Sequence, residues 1–123
     1  INFFEGGLTV YNLKQKATHL KINVTHALSC NCVSEQVAIE MAAGVKNLYH
    51  SDWSIAVTGY ASPVPEMGID KLFGCYAIQF KEETLQSGIV QSGKKHPREV
   101  QEFYTELILS KWAEIVHEFY KAF

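Results

Sequence analysis

Apolar residues follow two different rhythms along this chain. Trp53-Ser54-Ile55-Ala56-Val57 is a short apolar run with β-branched side chains and no internal Gly or Pro, and it stops at Thr58-Gly59. That length and composition predict a buried strand over 53–58. Asn2 to Tyr11 predicts an earlier strand with Gly6-Gly7 inside it, and a glycine pair in a strand marks a bulge or a close approach to the backbone. Lys71 to Phe80 reads as a further strand, Lys81-Glu82-Glu83-Thr84 as a turn, and Leu85 to Gln91 as the antiparallel partner.

Elsewhere the apolar positions recur at three and four residues. Asn12 is a good N-cap, and Leu13, Ala17 and Leu20 predict a short helix over 13–21. Residues 22–33 read as a polar connection. Ser34 then caps a helix reaching about Leu48, with Val37, Met41, Val45 and Leu48 on one face. Pro97 suits the first turn of a last helix, whose stripe runs from Val100 through Tyr104, Ile108, Trp112 and Val116 to Tyr120. The order strand, helix, helix, strand, hairpin, helix predicts the α/β class. The expected form is a three-layer α/β/α sandwich with a mixed sheet, a late antiparallel hairpin and a long C-terminal helix. After Val57 the chain turns to small residues, hydroxyls, Gly and Pro. Ligands of α/β proteins usually bind where a strand opens into such a loop.

Composition narrows the classes. The 123 residues suit a single domain over 1–123. Hydrophobic residues are 47% and charged residues 20%, an ordinary globular balance. A net charge of −2 lacks the basic field that nucleic acid requires, and no apolar run approaches the roughly 20 residues of a membrane helix. Neither nucleic acid nor membrane is therefore an expected partner. Cys30, Cys32 and Cys75 are too few and odd in number for a disulfide framework. They fit buried, reduced thiols and a cytoplasmic location. His26 with Cys30 and Cys32 is weak as a metal motif, so no metal site is expected. The apolar stripe of the last helix is wide for one sheet face, which suggests burial against a second subunit and a homo-oligomer. The chain starts at Ile1 and drops straight into a strand-like segment, so a preceding segment is expected.

Three blocks carry the chemistry. The first is Gly6-Gly7-Leu8-Thr9-Val10-Tyr11-Asn12, with Lys16 five residues after Tyr11. The second is Val33-Ser34-Glu35-Gln36-Val37-Ala38, continuing to Met41-Ala42-Ala43-Gly44. The third is Ala56-Val57-Thr58-Gly59-Tyr60-Ala61-Ser62-Pro63, extending to Gly68. In this order the blocks resemble the CinA C-terminal domain family, which includes the nicotinamide-nucleotide amidases. The resemblance runs from about Phe3 to Phe80, with a weaker helical match beyond.

The resemblance implies a role for each block. Lys16, with Tyr11, corresponds to a catalytic pair in which the amine is the base beside a serine nucleophile. A lysine can serve as a base only when burial lowers its pKa enough to leave it neutral, and arginine cannot do this. The family's serine lies in an E-S-x-T-x-G motif that residues 1–123 lack, so it is expected upstream of Ile1. Gly6, Gly7, Asn12, Thr58, Gly59, Ser62 and Gly68 are the implied substrate-binding positions. Lys95 or Arg98, where the last helix begins, would add cations for a phosphate. The implied activity is hydrolysis of the carboxamide of nicotinamide mononucleotide, without cofactor or metal. The alternative is a catalytically inactive nucleotide-binding or subunit-interaction module of the same fold.

Overall fold

A computed structural model describes residues 4–10, 12–30, 32–60 and 72–121. The elements in chain order are α1 (Leu13–Leu20), α2 (Val24–Ser29), α3 (Glu35–Tyr49), β1 (Trp53–Gly59), β2 (Phe73–Phe80), β3 (Glu83–Gln91) and α4 (Pro97–Lys121). They belong to two compact units. One comprises Ile1–Thr58 with Cys75–Ile89, the other Gly59–Gly74 with Val90–Phe123.

The sheet runs in the order β1-β2-β3. Its strands are antiparallel, because the start of each meets the end of its neighbour. Lys81 N–H bonds Asp52 O at 2.7 Å, and Trp53 stacks on Phe80 with ring centroids 4.7 Å apart. Tyr60 N–H bonds Phe73 O at 3.0 Å, and Ser92 N–H bonds Leu72 O at 3.2 Å. Lys81 turns the hairpin in a left-handed conformation, with φ of 54°. The α/β class, the late hairpin and the long last helix match the sequence pattern.

In the first unit three helices are capped by side chains, two of them, at Asn12 and Ser34, as the sequence predicts. Asn12 Oδ1 accepts from Gln15 N–H at 3.0 Å, Asn23 Oδ1 from His26 N–H at 2.9 Å, and Ser34 Oγ from Val37 N–H at 3.0 Å. Helices α1 and α3 are in contact, and Gly44 makes the approach possible. A Cβ there would collide with the Leu20 carbonyl oxygen. Val37, Ile78 and Cys75 are the largest fully buried side chains among the described residues of this unit.

Three details depart from the sequence pattern. Residues 4–10 form no strand. Gly6 has a φ of 154°, which favours glycine, and the Tyr49 hydroxyl donates to Gly7 O at 2.9 Å. A side chain thus takes a carbonyl that a strand ladder would need. The expected mixed sheet relied on this strand; the described strands form an antiparallel sheet instead. Within 22–33, α2 replaces the expected open connection, started by the Asn23 cap. The buried face of α3 runs through Val37, Ala38, Met41, Ala42 and Lys46, whereas Leu48 is exposed.

In the second unit α4 buries Val100, Tyr104 and Ile108. Tyr104 donates its hydroxyl to Tyr60 O at 2.9 Å, and the Tyr60 and Phe73 rings pack with centroids 5.3 Å apart. Beyond Ile108 the apolar positions of α4 are half-buried or exposed.

Candidate functional site

Lys16 lies on the inner face of α1 together with Leu20, and only 9% of it is exposed. The helix places it there by register. Asn12 caps the first turn, and Lys16 N–H closes the first helical bond onto Asn12 O at 3.0 Å. The side chain reaches the end of β1, where Nζ donates to Thr58 Oγ1 at 3.2 Å. Thr58 is buried in turn, and its hydroxyl donates to the backbone carbonyl of Cys32 at 2.7 Å. The hydroxyl proton is therefore committed to Cys32, and the oxygen lone pairs face the amine. Among the described residues, this relay of amine, hydroxyl and carbonyl fixes Nζ with one hydrogen bond.

Burial holds the Lys16 amine below its ordinary 10.5, opposed by the thiols of Cys32 and then Cys30, which raise it. Water removal destabilises the ammonium. Cys75, on β2, moves the other way. Burial first, then Glu35 and Cys30, push its thiol up to about 11, which keeps it protonated at neutral pH.

Of the residues singled out in the sequence, Lys16 and Thr58 are brought together. Asn12 serves as the α1 cap. Gly6 and Gly7 meet Tyr49, and a Cβ on Gly6 would lie 2.5 Å from the ring. The close approach expected at this glycine pair is thus made by a tyrosine of α3. Gly59 belongs to the second unit, where a Cβ would lie 2.7 Å from Gly74 Cα and 3.4 Å from the Tyr104 ring. Its lack of a side chain serves strand and aromatic packing. Lys95 and Arg98 are exposed in that same unit, and Arg98 Nε pairs with Glu102 Oε1 at 3.2 Å. Tyr11, Ser62 and Gly68 lie outside the described residues.

Three features escaped the sequence. The Cys32 carbonyl is a backbone group at a left-handed residue, φ 62°, which no side-chain pattern announces. Cys30 and Cys32, read as buried, are half-buried; only Cys75 is buried. Lys46 is only 6% exposed, with Nζ donating to Gln79 Oε1 at 3.1 Å. Its position four residues after Ala42, on the apolar stripe of α3, was the available signal. Among the described residues, no group of three or more His, Cys, Asp or Glu is arranged to hold a metal ion, and no helix is long and apolar enough to cross a membrane.

The fold and this site define a small α/β protein organised around a buried helix lysine tied to the end of an outer strand. The CinA C-terminal domain profile matches residues 1–109, and the chain belongs to that family. It is 34% identical over 96 residues to a CinA-like protein of Sulfurihydrogenibium sp. (strain YO3AOP1), a match covering 76% of this chain and 24% of that protein. It is 41% identical over 61 residues to a CinA-like protein of Acaryochloris marina (strain MBIC 11017), covering 50% of this chain and 15% of that protein. The matched region is thus a minor part of these relatives' length. Among solved structures, the competence or damage-inducible protein from Enterobacter asburiae superposes with a TM-score of 0.78 at 27% identity, covering 86% of this chain and 66% of that one.

Proposed function

We propose that this chain carries the base of an amidohydrolase that converts the carboxamide of nicotinamide mononucleotide to the acid and ammonia. The observation that carries the reading is the buried Lys16 amine, depressed in pKa and held at 3.2 Å from Thr58. In its neutral form the amine has a lone pair and can take a proton from an attacking hydroxyl. The nucleophile is a serine supplied from outside residues 1–123. As its oxygen bonds to the amide carbon, its proton passes to Lys16. Lys16 then returns that proton to the leaving nitrogen as the C–N bond breaks, and ammonia departs. Water attacks the resulting ester, again through Lys16, which releases the acid and restores the serine.

In this mechanism Thr58 positions the base. Its hydroxyl is already engaged on both sides, by Lys16 and by the Cys32 carbonyl. Gly59, Ser62 and Gly68 remain the substrate-binding positions that the family resemblance implies.

The experiment is ammonia release from nicotinamide mononucleotide by the full-length protein. Lys16→Ala should reduce turnover by roughly 10²–10⁴-fold, the usual worth of a positioned base, with an unchanged far-UV circular dichroism spectrum. Lys16→Arg should fail equally, because guanidinium does not deprotonate. Wild-type turnover in either variant removes Lys16 from the mechanism. A full-length protein that shows a nucleotide-induced thermal shift but releases no ammonia would be a binding module instead.

A further inference from the structure

We infer that Gly44 of α3 is a positioning residue for the Lys16 base, because it lets α1 seat deeply enough on α3 for the amine to reach Thr58. The kinetic side of this inference rests on the amidase reading, and the rest stands on the packing of α1 against α3.

Local preference argues against a glycine at this place. Helix α3 runs from Glu35 to Tyr49, and position 44 lies in its interior. Apart from proline, glycine is the residue that a helix interior tolerates least, and alanine is the one it favours most. Ala42 and Ala43 precede Gly44, so a third alanine would extend the helix more stably. The obstacle is steric. A Cβ on Gly44 would collide with Leu20 O and would lie 2.7 Å from Leu20 Cα and 2.8 Å from Leu20 C. All three are backbone atoms, so no side chain can swing aside. Relief requires the end of α1 to retreat by about 1 Å, which restores ordinary contacts of roughly 3.5 Å.

The backbone that fills this opening belongs to the base-bearing helix. Lys16 and Leu20 are one turn apart on the inner face of α1, and both are buried. Lys21 then takes a left-handed φ of 58° and closes the helix with its N–H on Ala17 O at 3.2 Å. Ile22 is buried, and Asn23 N–H donates to the Glu40 carboxylate. Glu40 and Gly44 are four residues apart, so they share one face of α3. Glu40 gives the corner at 20–23 a hydrogen bond, and Gly44 gives it room. The two together set how closely α1 lies on α3. The margin at the other end of the lysine is small. Nζ meets Thr58 Oγ1 at 3.2 Å, already the long end of the hydrogen-bond range. A retreat of about 1 Å in α1 carries the amine out of that range and opens it to water.

The test compares Gly44→Ala with Lys46→Met in the full-length protein. Lys46→Met is the control, because it removes a contact of α3 without touching the Leu20 corner. Gly44→Ala should lower kcat for ammonia release from nicotinamide mononucleotide by roughly tenfold to 10²-fold per folded molecule, the worth of a misplacement of about 1 Å. KM should change little. The rise of kcat with pH should move to higher pH, because an amine that regains water titrates closer to 10.5. A glycine that serves packing alone would make Gly44→Ala behave as Lys46→Met does, with a lower urea midpoint but the wild-type kcat and pH profile. Should Gly44→Ala fail to fold, Glu40→Ala loosens the same corner without adding an atom. It should give a smaller, few-fold fall in kcat and a shift of the profile in the same direction.

The amine is also read without turnover. In protein labelled with [15N]lysine, the Lys16 Nζ signal is the one absent from Lys16→Met. That signal should titrate at higher pH in Gly44→Ala, or in Glu40→Ala, than in wild type. A wild-type protein that releases no ammonia would sink the amidase reading and leave this titration to decide the role of Gly44. An unchanged kcat and pH profile in the folded variant, or an unchanged Lys16 titration, would show that the lysine stem follows Thr58 unaided and would overturn the inference.

Discussion

Lys16 and Lys46 sit on two helices in contact, α1 and α3, and each sends its amine to a strand side chain, Thr58 on β1 and Gln79 on β2. Both are buried, and the bond lengths are nearly equal, 3.2 and 3.1 Å. The partners differ in what they permit. The Gln79 amide oxygen can only accept, so Lys46 can only donate to it. The same amide is clamped through Nε2, which donates to Ile39 O at 3.2 Å and Thr84 Oγ1 at 3.1 Å. Lys46 therefore works as a strut that joins α3 to the hairpin. Thr58 offers a single oxygen whose proton is spent on Cys32, and the Lys16 amine stands among half-buried thiols. Burial alone does not make a lysine a base. A partner that fixes the nitrogen without saturating it, in surroundings that another group can enter, is also required.

The sharpest way to separate the two is substitution by Met, which keeps the hydrocarbon stem and deletes the donor. Lys46→Met leaves Gln79 Oε1 buried without its lysine partner. That should lower the unfolding free energy by about 1–3 kcal/mol, measured by urea denaturation, while turnover per folded molecule stays unchanged. If Lys46→Met instead abolished ammonia release at full stability, the strut would be a second catalytic amine and the contrast would collapse.

The sequence revealed much of this architecture for physical reasons. Strand β1 and the hairpin carry β-branched and aromatic residues at strand spacing, and α4 carries its stripe over many turns, so periodicity sufficed. Short range defeated it elsewhere. Helix α2 spans only Val24–Ser29, and its existence rests on the Asn23 cap and on the Glu40 carboxylate, which accepts from Asn23 N–H. Residues 4–10 have strand composition but surrender the Gly7 carbonyl to Tyr49, a contact 42 positions along the chain. At the site, side-chain motifs announced Lys16 and Thr58. The Cys32 carbonyl that takes the Thr58 proton is backbone and had no signature. Leu48, expected on the buried face of α3, is exposed, whereas Lys46 is buried against Gln79, and Gly44 admits the Leu20 backbone.

A smaller effect is expected at Thr58. Thr58→Val keeps the branched shape and removes the hydroxyl, so both bonds of the relay are lost. Removing a hydrogen bond worth about 0.5–1.5 kcal/mol at the base corresponds to a fall in turnover of a few-fold to about tenfold. Thr58→Ser should retain activity. The readout is the division between kcat and KM. A positioning role lowers kcat with KM little changed, whereas a direct nucleotide contact raises KM. A raised KM at constant kcat would return Thr58 to the substrate seat and leave Lys16 held by something else.

The subtlest test is the pH dependence of stability at Lys16. In the folded chain burial holds the amine below 10.5. Between that lowered value and 10.5 the unfolded chain binds a proton that the folded chain does not, so this group makes stability rise with pH across the window. Below the window the ammonium is present in both states, and folding bears the full cost of burying it. Lys16→Met has no charge to bury. It is therefore expected to be more stable than wild type near neutral pH, with the gain shrinking as pH climbs toward 10.5 and vanishing above it. Cys75 acts oppositely. Its thiol is raised from 9.0 to about 11, so its contribution is complete below 9.0 and is lost as pH rises through about 11. Because Cys75 is common to both proteins, the difference between Lys16→Met and wild type in urea titrations isolates the amine. A difference that stays constant with pH would mean that position 16 binds its proton equally in both states. The buried lysine would then lack the property that distinguishes a base from a strut.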